Sequence, residues 1–115
     1  MELDAASRSR IESILQDNHV VLFMKGTPAQ PQCGFSAKTT QILNILLPDY
    51  ATVDVLADPE IRVGIKAYGD WPTIPQLYVD SELVGGCDIV DDMYRQDALH
   101  ELLGLELPQE AAPTI

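Results

Sequence analysis

Cys33-Gly34-Phe35-Ser36 puts one thiol at the point where a helix begins, with serine where a dithiol redox centre carries its second cysteine. A thiol there is favoured as thiolate, because a helix N-terminus offers partial positive charge and unpaired N–H groups. Lys25, at the end of the preceding apolar run, adds positive charge. Gly34 lets a ligand approach the backbone closely. The plainer reading, an inert buried cysteine, sits poorly with the polar loop before Cys33. Ser36 cannot break a mixed disulfide by internal attack, so Cys33 either passes one to an external thiol or serves as a metal ligand. Ser36 is also an ordinary helix-start residue that bonds backbone N–H groups.

The elements that must hold this thiol follow from the hydrophobic pattern. Ile11, Ile14 and Leu15 at i, i+3, i+4 predict an amphipathic helix over 5–17, with Ser9 and Glu12 matching a capping box inside that span. His19 to Lys25 is apolar nearly throughout, as in a strand buried on both faces. Gly26 to Gln32 holds a glycine and two prolines and reads as loop. A helix follows from Gly34 to about Leu47, with Thr39, Ile42, Leu43 and Leu46 inward and Pro48 as its stop. Tyr50 to Leu56 is a second strand. Asp58-Pro59-Glu60 starts a helix that ends near Gly69. Pro75–Asp80 and Glu82–Val84 form a hairpin around Asp80-Ser81. Asp88 is expected to cap a last helix with Ile89, Met93, Leu99, Leu102 and Leu103 inward. The strand-helix-strand unit must be parallel and right-handed, and the hairpin antiparallel. The fold class is α/β: a four-stranded mixed sheet with helices on both faces.

With 115 residues, nearly half apolar, the chain suits a single domain, 1–115, with a core over about 8–104 and a frayed tail over 105–115. Its net charge of −11 repels phosphate backbones and anionic lipid, so neither nucleic acid nor membrane is an expected partner. No apolar run approaches bilayer length. Met1-Glu2-Leu3-Asp4 lacks the basic-then-apolar pattern of an export signal, and a cytoplasmic location is expected. Two cysteines make no disulfide framework; in a reducing compartment both are free thiols, ligands or reaction centres.

Taken together, Met24-Lys25-Gly26-Thr27, Cys33-Gly34-Phe35-Ser36, Trp71-Pro72-Thr73-Ile74-Pro75 and Gly85-Gly86-Cys87-Asp88 resemble the monothiol glutaredoxins in order and spacing. The resemblance spans about 8–104, with no departure at a motif position. It implies a thioredoxin-like fold, glutathione binding, and a [2Fe-2S] cluster shared by a homodimer. Cys33 and one glutathione thiolate from each subunit would ligate the irons, which answers the missing second cysteine, because a cluster needs four thiolates. In the family pattern Lys25 and Arg62 hold the glycine carboxylate of glutathione. Pro75 matches a cis-proline that presents the backbone of Ile74 to the peptide. The backbone N–H groups of Cys87 and Asp88 take the γ-glutamyl carboxylate, the Asp88 side chain takes the α-amine, and Gly85 and Gly86 leave room.

Each of these residues also has a structural role to weigh: Pro75 as a strand start, Gly85-Gly86 as a turn, Asp88 as a helix cap, Arg62 and Lys66 as solvated helix residues. The Cys87 side chain reads as a small buried spacer rather than a redox partner. Trp71 reads as packing, Phe35 as a water shield or helix staple, and His19 and His100 as carrying no chemistry. The leading expectation is a cluster carrier for apo iron-sulfur proteins, acting in cluster assembly and iron homeostasis. The alternative is an enzyme that removes glutathione from protein mixed disulfides by a monothiol route. A regulatory module whose bound cluster reports iron status is a third class.

Overall fold

The computed structural model describes residues 3–106. In chain order it holds α1 (Ala5–Asp17), β1 (Val20–Met24), α2 (Gly34–Leu46), β2 (Ala51–Asp54), α3 (Pro59–Tyr68), β3 (Gln76–Val79), β4 (Glu82–Gly85), α4 (Cys87–Arg95) and α5 (Ala98–Leu102). The strands form one sheet in the order β2-β1-β3-β4. β1 and β2 are parallel, and β1–β3 and β3–β4 are antiparallel. This is the expected mixed four-stranded sheet.

Every residue of β1 is buried, because the strand feeds two cores. Alternate side chains point to opposite faces. Val20, Leu22 and Met24 meet Ile42 and Leu43 of α2, Val90 of α4 and Leu99 of α5. Val21 and Phe23 meet Ile11 and Leu15 of α1, Ile61 and Ile65 of α3, and Tyr78. Helices therefore cover both faces. The hairpin turn falls at Asp80-Ser81, both at positive φ (51° and 68°), the geometry that matches strand twist in a two-residue turn.

Several local expectations change. The Asp4 carboxylate, not a box at Ser9, caps α1: it accepts the Ser7 N–H at 2.7 Å, and Ser9 lies inside the helix. The last helix starts one residue before Asp88, with Gly86 as its N-cap, and it is two helices. Asp97 has φ 61°, a left-handed conformation that ends a right-handed helix. That break resets the helical phase. Val90, Leu99 and Leu103 are buried, while Leu102, expected inward, is 41 % exposed. Leu46 is half-buried on the α2 core. Of the expected frayed tail, 107–115 lie outside the described residues. Leu105 packs on the core, and its N–H donates to the His100 carbonyl at 2.8 Å.

Candidate functional site

The loop before Cys33 is built from backbone bonds. Thr27 and Gln30 exchange N–H···O contacts at 3.2 and 3.0 Å, and the Gln32 N–H returns to the Lys25 carbonyl at 2.9 Å. Gly26, at φ +88°, permits this turn; a Cβ there would sit 2.5 Å from the Gln30 carbonyl. Asp54 anchors the loop from β2, its Oδ1 accepting the N–H groups of Gly26 and Leu56, each at 2.9 Å.

Cys33 emerges from this loop in extended conformation as the N-cap residue of α2, and its thiol is half-buried. Partial desolvation pushes the thiol pKa up. The backbone N–H groups of Ser36 and Phe35, the Ser36 hydroxyl and the Lys25 charge outweigh it, leaving Cys33 below the ordinary thiol value. Ser36 is fully buried and also accepts the Lys25 backbone N–H at 3.1 Å.

The facing wall is Trp71–Pro75, where the Ile74–Pro75 bond is cis, as expected. The end wall is the start of α4. A Cβ on Gly85 would lie 2.7 Å from Ile89, and its φ of +149° also excludes ordinary side chains. Gly85 thus serves the packing of α4 on its own strand. A Cβ on Gly86 would meet the Pro75 carbonyl at 3.3 Å and Trp71 Nε1 at 3.4 Å, so Gly86 allows the two walls to meet. Trp71 Nε1 is buried with no hydrogen-bond partner among the described residues.

These walls enclose an open cleft of about 510 Å³. Lys25, Cys33, Ile74, Cys87 and Asp88 all line it. Arg62 does not. Lys66, one turn further along α3 and read from sequence as merely solvated, does. No local signal singles out Lys66; the structure brings it there at the end of α3, where its carbonyl accepts the Trp71 N–H at 3.0 Å. Cys87 lines the cleft yet is buried, 6 % exposed. Phe35 is 63 % exposed at the cleft rim. Among the described residues, no three or more His, Cys, Asp or Glu side chains gather to hold a metal ion. No described helix is long and apolar enough to cross a membrane.

The model of the glutaredoxin family matches residues 20–84. The ycf64-like monothiol glutaredoxin of Synechocystis sp. is 50 % identical over 91 % of this chain and 98 % of its own length. Glutaredoxin 4 of Escherichia coli is 47 % identical over 82 % of each chain. Among solved structures, reduced apo GrxS14 of poplar is 42 % identical and superposes with a TM-score of 0.75 over 84 % of this chain and 89 % of that one. One cysteine at the head of α2, a serine three residues on and a cis-proline facing them, on a sheet with this strand order, agree with those likenesses: the chain belongs to the glutaredoxin family, in its monothiol branch.

Proposed function

We propose that this chain binds glutathione in the Cys33 cleft and, as a homodimer, carries a [2Fe-2S] cluster to apo iron-sulfur proteins in cluster assembly and iron homeostasis. The observation that carries the reading is the convergence of a thiolate-favouring Cys33, the Ile74 backbone and the α4 N-terminus on one cleft flanked by Lys25 and Lys66. Glutathione is a peptide with two carboxylates and an α-amine. Lys25 takes the glycine carboxylate, with Lys66 as the α3 cation that lines the cleft. Ile74 pairs its backbone with the peptide as an added strand does. The N–H groups of Cys87 and Asp88 take the γ-glutamyl carboxylate, and the Asp88 carboxylate takes the α-amine.

The donor set fits a shared cluster. With Cys87 buried and Cys33 half-buried, one chain offers one accessible thiol, while a [2Fe-2S] centre needs four. Cys33 from two copies and the sulfur of two bound glutathiones make that number. The cluster, when bound, is cargo that supplies iron and sulfide to the acceptor. Two free thiols suit a reducing compartment, and we place the protein in the cytoplasm.

The test is anaerobic reconstitution with iron, sulfide and glutathione. Sulfide-to-iron charge-transfer absorption and about one iron per chain are expected, both lost without glutathione or in Cys33→Ser. A Cys33→Ser variant that retains the cluster overturns the reading.

The lowered Cys33 pKa favours a second role. The thiolate attacks the glutathione sulfur of a protein mixed disulfide, and the protein thiolate leaves. A second glutathione thiolate then attacks the Cys33-bound sulfur, releasing glutathione disulfide and regenerating Cys33. Turnover of glutathionylated protein that depends on Cys33 and free glutathione is the measure of this activity.

A further inference from the structure

Gln76 is a fully buried amide in β3, directly after the cleft wall. Burying an amide is costly unless its hydrogen-bonding groups are satisfied. Its Nε2 donates to the Trp71 carbonyl at 3.0 Å and to the Thr73 carbonyl at 3.3 Å. Its Oε1 accepts the Tyr78 hydroxyl at 3.0 Å. The orientation is forced: carbonyls only accept, so the amide nitrogen must face them, and the oxygen is left for the phenol. Burial pushes the Tyr78 phenol far up, so it stays protonated as the donor Gln76 needs. Tyr78 is itself fixed in the core, edge-on to Phe23 with centroids 5.5 Å apart. Gly69, at the end of α3, closes the set: a Cβ there would lie 2.4 Å from the Tyr78 hydroxyl and 3.1 Å from Gln76 Oε1.

We infer that Gln76 is a positioning residue for ligand binding, an amide clamp inside the core that fixes the Trp71–Pro75 wall so that the Ile74 backbone meets the bound peptide. Gln76 does not line the cleft; it acts by holding the carbonyls of Trp71 and Thr73, two residues that do. The ligand in this inference rests on the glutathione reading above, while the clamp itself rests on the buried bonds.

The test compares wild type with Gln76→Met, which keeps the chain length and loses the amide. Backbone order of Thr73 and Ile74 is read by 15N relaxation, glutathione affinity by calorimetry, and Cys33 by the pH dependence of its alkylation. Order is expected to drop at Thr73 and Ile74 from rigid values near about 0.85 to below about 0.6. Glutathione should bind about tenfold more weakly. The Cys33 profile should not move, since α2 and β1 hold that thiol. Wild-type order and affinity in Gln76→Met overturn the inference. So does a loss of order spread evenly through the sheet with a shifted Cys33 profile, which marks a structural role alone. If Gln76→Met does not fold, Tyr78→Phe removes only the hydroxyl that donates to the amide oxygen and leaves that oxygen unpaired in the core; the same local pattern is expected with about threefold weaker binding, and its absence overturns the inference. Wild type that binds no glutathione sinks the functional reading, and the order at Thr73 and Ile74 then decides the clamp by itself.

Discussion

The backbone N–H of Lys25 donates to the Ser36 hydroxyl at 3.1 Å, joining the end of β1 to the first turn of α2 directly beneath Cys33. The same hydroxyl favours the Cys33 thiolate. The serine that replaces a second thiol is therefore a hydrogen-bond hub, fully buried, with one side on the sheet and the other on the reactive sulfur.

Ser36→Ala removes both contacts. The folded pKa of Cys33 lies below the ordinary thiol value, so the thiolate persists to lower pH than in a free cysteine. Losing a bond that stabilises the charged form moves the alkylation midpoint up, toward the free-thiol value. The orphaned Lys25 N–H should also cost about 1–3 kcal/mol of stability in denaturant unfolding. An alkylation midpoint identical to wild type would contradict this account of Ser36.

Lys25→Gln separates charge from hydrogen bonding. The Lys25 charge is the last and smallest of the causes acting on Cys33, so the alkylation midpoint should rise less than in Ser36→Ala. Glutathione affinity should fall about tenfold, as for a lost charged contact, and the loss should shrink at high salt. Titrations of both variants at two salt concentrations make the comparison, and equal affinity for wild type and Lys25→Gln rules the contact out.

Gly69→Ala should destabilise the fold by about 1–3 kcal/mol, because the new methyl overlaps the Tyr78 hydroxyl. Gly69 has φ −86°, so backbone strain is not the reason. Combining it with Tyr78→Phe removes the overlapping oxygen, and the double variant should lose less than the sum of the two single losses. Denaturant unfolding of all three variants gives the coupling; strict additivity would place the clash elsewhere.

Cys33 and Cys87 should differ sharply in reach. Cys33 is half-buried at the cleft and Cys87 is 6 % exposed. A short alkylation of the native apo protein should add one label, at Cys33, and the unfolded chain should take two. Mass spectrometry of digested samples locates them. Rapid native labelling of Cys87 would show that its thiol is open to reagent through the cleft it lines, against its burial.

The strand-loop-helix setting of Cys33, the order of the elements and the antiparallel hairpin were legible in the sequence, because each rests on local periodicity, turn chemistry or chain connectivity. The polar loop, the Thr-Ile-Pro run and the Gly-Gly-Cys-Asp run were legible as motifs, although nothing local says that three segments so far apart share one cleft. That was decided by the sheet order β2-β1-β3-β4, which sets β1 beside β3, so the Cys33 loop meets the Thr-Ile-Pro wall, and β4 beside β3, so the start of α4 meets it too. The cap at Asp4 and the break at Asp97 escaped the sequence reading because short polar residues cap helices at many positions, and only packing selects one. Lys66 rather than Arg62 lines the cleft because α3 is fixed by burying Ile61 and Ile65, and its C-terminal end is the one that meets Trp71. Nothing local in the sequence marks Gln76 as a core residue of its strand. Only the tertiary structure supplies, inside the core, the two carbonyls and the phenol that make an amide stable there.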